Sequence, residues 1–183
     1  MSRIRFATAR AVFEAFPEES RKIGAQAADQ SPIDFLKSLM LRAELDDAVR
    51  FCALLLPRRE AVWWACGCAR SLLGKVPPDK AEPLLAAEAW VQQPETERRE
   101  AALRIGTHGD SDDPLTWIAL AAGWAGGMLF SHPERPIPMP PFMTARAACL
   151  AVQLGAGAVD RNERPARLRA CVAEGIRLAD AGL

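Results

Sequence analysis

The sequence predicts an all-α fold, a compact multi-helix bundle or a set of stacked helical pairs with about eight helices. Three observations point there. Apolar residues recur at helical spacing along most of the chain. Prolines stand where several of these segments begin, as expected at a first helical position whose N–H is not needed. Finally, Ala61–Ala69 carries no charged side chain. A segment apolar on every side has to be enclosed by other elements. Pro57–Gly74, PRREAVWWACGCARSLLG, is therefore expected to be the central helix.

The elements follow in chain order. Residues 1–30 read as an N-terminal helix and linker, with Phe13 and Phe16 as core anchors, and 31–183 as the helical domain, one domain overall. Ser31-Pro32 opens a helix with Ile33, Leu36, Leu39 and Met40 inward, and Leu45, Ala48, Val49, Cys52 and Leu56 mark the next. Asp79 and Glu82 have capping-box spacing before a helix carrying Leu84, Leu85, Trp90 and Val91. Pro94 begins an amphipathic piece that turns Ala101, Ala102 and Ile105 inward. Asp113-Pro114 starts the Trp117–Trp124 helix, Pro140 or Pro141 starts Met143–Leu154, and Arg164–Ala179 is the last. Thr-Ala-Arg-Ala occurs at Thr8 and at Thr144, each threonine placed as an N-cap or first-turn residue, but no repeat extends from them. The segment Ser131–Pro141 holds five prolines in 11 residues and favours extended backbone on a stiff recognition loop.

The totals exclude several classes. Lys+Arg and Asp+Glu both number 23 in 183 residues, so no net charge draws nucleic acid or an anionic membrane. Five cysteines, mostly in apolar helical contexts, read as reduced core thiols of a cytoplasmic protein. The start, MSRIRFATAR, has no apolar stretch of secretory type. Pro114–Pro133 is uncharged over 20 residues, near bilayer length, but its glycines and polar end favour a buried helix followed by a loop over membrane insertion.

The candidate chemistry is sparse. Cys66 and Cys68 lie two apart on a helix, about 200° around it, and cannot grip one ion together. Trp63 and Trp64 are about 100° apart, so one can be buried while the other lines a groove. The loop His108–Asp113 lacks the ligand spacing of a calcium loop, and Asp112 and Asp113 serve as caps for the Pro114 helix. Gly123, Gly126 and Gly127 follow no strand and fit close helix packing better than phosphate binding. Arg70 and Arg146 flank apolar faces, where a part-buried pairing with a carboxylate is expected. The basic run Arg161, Arg164, Arg167 and Arg169 alternates with acids and reads as a solvated, ion-paired face. No catalytic, cofactor-binding or metal-binding residue is assigned.

Arg58–Ala65, RREAVWWA, resembles the signature helix of a bacterial family of unknown function. So do the glycine-rich helix with Trp124, the proline loop, Thr144–Ala147 and the preceding Asp46–Phe51 helix. The resemblance covers most of residues 32–155, although Cys66-Gly67-Cys68 is not part of the family pattern. It implies an association with type VI secretion genes and no catalytic residue. The expected function is a non-enzymatic adaptor or chaperone-like factor with a protein partner. Its contact surface would combine the proline loop with Trp64, Trp124, Phe130, Ile137 and Phe142. Alternatives are an immunity protein that blocks a toxin, and a small-molecule-binding protein or enzyme using His132 and Arg146, which needs a pocket of several hundred Å³.

Overall fold

A computed structural model describes residues 5–26, 29–130 and 137–181. Proline and small polar caps set many of the helix boundaries. Thr8 caps α1 (Ala9–Ala15), its hydroxyl accepting from the Ala11 N–H at 3.2 Å. Pro17 then breaks the N-terminal segment and begins the short α2 (Pro17–Ser20), which accounts for one helix beyond the sequence expectation. Ser31 caps α3 (Pro32–Leu41), and α4 (Leu45–Leu55) stops at Leu56, which turns extended ahead of Pro57. α5 (Arg58–Leu73) ends at Gly74, whose φ of 67° only glycine adopts without strain.

A 3-10 turn (Pro78–Lys80) leads into α6 (Glu82–Gln92). The capping box expected from Asp79 and Glu82 does not form, because the 3-10 turn takes up Asp79 and leaves Ala81 at the cap. α7 (Thr96–Thr107) and α8 (Pro114–Gly123) follow, then two short antiparallel strands, β1 (Met128–Phe130) and β2 (Ile137–Pro138). α9 (Met143–Gly157) and α10 (Arg164–Ala181) complete the chain. Ten α-helices and one minimal ribbon among the described residues make the fold all-α.

α5 and α9 pack together and bridge two groups of helices. On one side α8 packs on α6 and α7; on the other α4 packs on α3 and α10. α5 also touches α6, α8 and α10. Its enclosure is incomplete. Trp64, Ala65, Cys66, Cys68 and Ala69 are buried, whereas Trp63, Gly67 and Arg70 form an exposed stripe at helical spacing. The absence of charge between Ala61 and Ala69 thus overstated the burial: glycine and an indole edge tolerate solvent without carrying charge. The N-terminal helices pack on the body through Phe13, whose ring lies 5.7 Å from Phe35 and 5.8 Å from Phe51.

The α7–α8 crossing depends on two reciprocal glycines. A Cβ at Gly123 would sit 2.7 Å from the Leu103 Cα, and one at Gly106 would sit 2.9 Å from the Leu120 backbone nitrogen. Backbone cannot yield as a side-chain end does, so the axes would have to separate. Gly123→Ala is expected to cost about 1–2 kcal/mol. An unchanged midpoint in urea denaturation would refute the close-packing role. Gly127 has a different one: its φ of 77° turns the chain into β1.

No helix among the described residues is long and apolar enough to cross a membrane. Of Pro114–Pro133, the first half is α8, buried along most of its length, a turn and β1 follow, and residues 131–133 lie outside the described residues.

Candidate functional site

The ribbon is anchored from below. The carbonyl of Ala125, in the turn after α8, accepts from Arg58 Nη1 at 2.9 Å, and that of Gly123 accepts from Arg99 Nη1 at 3.2 Å. The Met139 N–H donates to the Gly127 carbonyl at 3.0 Å, and the Met139 side chain is buried. Met128 pairs with Pro138 and Phe130 with Ile137, with an irregularity between the two pairs. Above this base three large apolar side chains stand about half in solvent: Met128 at 52%, Leu129 at 53% and Ile137 at 47%. Among the described residues the other exposed large apolar side chains, Leu41, Trp63 and Leu85, are scattered over three different helices. A cluster on a short ribbon is the kind of apolar surface that marks a contact site.

The sequence-predicted residues divide. Ile137 lies on the ribbon and is exposed. Trp124 sits at its base, half-buried, with its ring edge-on to Trp117 at 6.2 Å. Phe130 belongs to β1. Phe142 is half-buried beside α9, and the Arg146 guanidinium stacks over its ring at 4.8 Å. Trp64 is a core residue, fully buried, its indole N–H donating to the Cys171 carbonyl at 2.8 Å. It therefore cannot offer a face to a partner; its neighbour Trp63, 37% exposed, is the tryptophan of that pair that meets solvent. His132 lies outside the described residues. Met128 and Leu129 were missed because a three-residue strand gives no readable alternation.

Arg146 makes the part-buried pairing expected of it. Its guanidinium donates to Glu19, whose side chain is only 3% exposed and also accepts from Lys22 Nζ at 3.0 and 3.1 Å. Burial pushes the Glu19 carboxyl up, but the hydrogen bonds and charges of Arg146 and Lys22 outweigh it and leave the pKa below the ordinary carboxylate value. Arg70 pairs with Glu88 through two 2.7 Å bonds, though at the surface and not part-buried. Along the basic run, Arg164 reaches Asp46 and Arg167 reaches Glu163. Asp113 caps α8 through the Leu115 N–H, whereas Asp112 does not: its own N–H donates to Asp110.

All five cysteines are buried and free. Cys66 lies near Glu88 and Arg70, while Cys68 lies near Cys171 of α10. They face apart, as helical geometry requires. Burial pushes the Cys66 and Cys68 thiols up, and that of Cys149 to about 12, so these three are protonated and inert at neutral pH. Among the described residues no group of three or more His, Cys, Asp or Glu side chains could hold a metal ion.

A family of unknown function, DUF6931, matches residues 35–179. The chain belongs to that family. DUF6931 thus takes in the helical body from α3 almost to the end of α10, including the RREAVWWA helix and the ribbon. Membership in a family of unknown function is what the motif resemblance implied; nothing in the DUF6931 match links it to type VI secretion. In comparisons with curated proteins and with solved structures, nothing matches.

Proposed function

We propose that this DUF6931 protein is a non-enzymatic accessory protein that engages a protein partner through its β1–β2 ribbon. The concentration of Met128, Leu129 and Ile137 on one short ribbon supports the reading most directly. Two strands leave backbone edges to which a partner's extended segment can add, while apolar side chains on the ribbon supply contact area. The anchoring by Arg58, Arg99 and Met139 favours a preformed contact with a small ordering cost. The finer assignment, an adaptor or chaperone-like factor for effector loading in type VI secretion, in a bacterial cytoplasm, rests on the resemblance of the helix and loop motifs alone.

The test uses the full chain as bait in its native host, beside an Ile137→Asp variant. Ile137 is exposed, so aspartate there leaves the core intact. The wild type should retain a secretion component or effector, and the variant should bind it at least about tenfold more weakly with an unchanged Tm. Equal retention by both chains would reject the ribbon. A bound toxin, with growth rescued on co-expression, would replace the adaptor reading by an immunity protein. A dimer abolished by Ile137→Asp would assign the ribbon to self-association.

A further inference from the structure

Beyond the ribbon, we propose that the chain binds a small organic phosphate with two anionic groups in a cleft between α2, α4, α5 and α9. Two neighbouring cavities, of about 160 and 390 Å³, both include Leu54 and Ala145 in their linings. The smaller is lined by Lys22, Arg50, Arg146 and Glu19; the larger by Arg5 and Arg58. Five cations thus face one carboxylate in a chain whose net charge is zero.

Two polar groups on these walls lack partners among the described residues. Arg50 Nε is buried with no hydrogen bond, and so is Thr144 Oγ1, on a residue only 1% exposed. Native proteins rarely leave such groups unmatched, and a bound ligand or water is the usual resolution. Arg50 lines the smaller cavity and Thr144 the larger. Arg58 spends one N–H on the Ala125 carbonyl and forms no ion pair with a described carboxylate. Burial first, then the nearby Arg5 charge, disfavour its charged form, a strain that an anion would relieve. Thr144 also lies in the first turn of α9, which holds no acidic residue, so the positive end of that helix adds to the field.

The charges indicate the ligand class. In the smaller cavity Glu19 neutralises one of three cations, and the remaining excess matches a phosphate monoester, which carries close to two negative charges at neutral pH. The larger cavity couples the apolar walls of Phe16, Leu56 and Pro141 to Arg5 and Arg58. That combination suits a compact organic body ending in a second anionic group. The charges line a recess, which favours a small molecule over a nucleic-acid backbone or a membrane surface.

The test titrates the full chain with inorganic phosphate, pyrophosphate and fructose 1,6-bisphosphate, against sodium chloride at matched ionic strength. The bisphosphate should raise Tm above the chloride control and bind at least about tenfold tighter than inorganic phosphate. Arg50→Gln should weaken it about tenfold or more, and Arg161→Gln, on the surface away from the cleft, should not. Thr144→Val guards against a folding artefact: it removes an unmatched hydroxyl at constant shape, so the free protein stays folded while bisphosphate affinity falls several-fold. Binding retained in both Arg50→Gln and Thr144→Val, or no response above chloride, overturns the site. Inorganic phosphate binding as tightly as the bisphosphate overturns the two-group ligand. None of these outcomes depends on the ribbon, which Ile137→Asp tests separately.

Discussion

Trp64→Ala should lose about 4–5 kcal/mol of folding stability, within reach of the whole margin of a domain this size. The indole is the largest fully buried side chain of the core. It fills the space where α5 meets α10, and Gly175 leaves room there for Cys52 and for the ring. A Cβ at Gly175 would lie 2.2 Å from Cys52 Sγ and 3.1 Å from Trp64 Nε1. Removing the ring leaves a cavity between helices that cannot close over it, because their backbones are held by other contacts. The lost hydrogen bond to the Cys171 carbonyl is a smaller part, since a mid-helix carbonyl keeps its intrahelical donor. Trp64→Phe separates the two: it keeps most of the volume and should cost about 2 kcal/mol. Thermal unfolding of the alanine variant should begin roughly 10–15 °C lower, if it folds at all. A loss under 1 kcal/mol from urea denaturation would mean that the indole is not the keystone of the α5–α10 contact. Trp63→Ala, on the exposed stripe with the ring 37% exposed, is the comparison and should cost clearly less than Trp64→Ala.

That comparison shows where sequence reasoning stops. Adjacent tryptophans on a helix point about 100° apart, and composition does not say which faces inward. The neighbours decide: Gly175, 111 positions away from Trp64, leaves the space that Cys52 and the Trp64 ring occupy. Helix starts were legible because their causes are local. Thr8, Ser31 and Asp113 cap the helices they precede, and Pro32 and Pro114 open two of them. Thr144 shows the limit of the same rule: the shared Thr-Ala-Arg-Ala allowed a cap or a first-turn position, and in α9 Thr144 takes the first turn with its hydroxyl buried and without a partner among the described residues. The close approach of Gly123 to α7 was readable as a packing glycine, whereas its partner Gly106 was not. Of the candidate surface, Ile137 and Trp124 were recognisable from the proline loop. The ribbon's Met128 and Leu129 were not, because strands of three and two residues leave no periodicity. The basic cleft was out of reach for a different reason. Its cations come from segments between Arg5 and Arg146, each unremarkable where it stands, and only tertiary packing brings them together.

Glu19 is the counterweight inside that cleft, and Glu19→Gln should cost about 2–3 kcal/mol at neutral pH. Breaking a buried ion pair strands the surviving charge. Here the penalty stays below the full range because Arg146 and Lys22 are 35% and 45% exposed and recover part of their hydration. The effect has a fixed direction with pH. The folded Glu19 pKa lies below its ordinary value, so the carboxylate's contribution is complete above the ordinary carboxylate range. It is lost as pH falls through the depressed folded value. The stability gap between wild type and Glu19→Gln, read from urea midpoints, should therefore be widest at neutral pH and narrow in acid. A gap that stays constant or widens in acid would show that the carboxylate's charge is not what Arg146 and Lys22 hold. The same variant bears on the cleft. With Glu19 neutral, Lys22, Arg50 and Arg146 face one another without a carboxylate on the smaller cavity's wall. A phosphate-bearing ligand then takes over the charge balance, so fructose 1,6-bisphosphate should raise the Tm of Glu19→Gln by more than it raises that of the wild type. Equal increments would place the carboxylate outside the ligand's field even if the ion pair proves its structural worth.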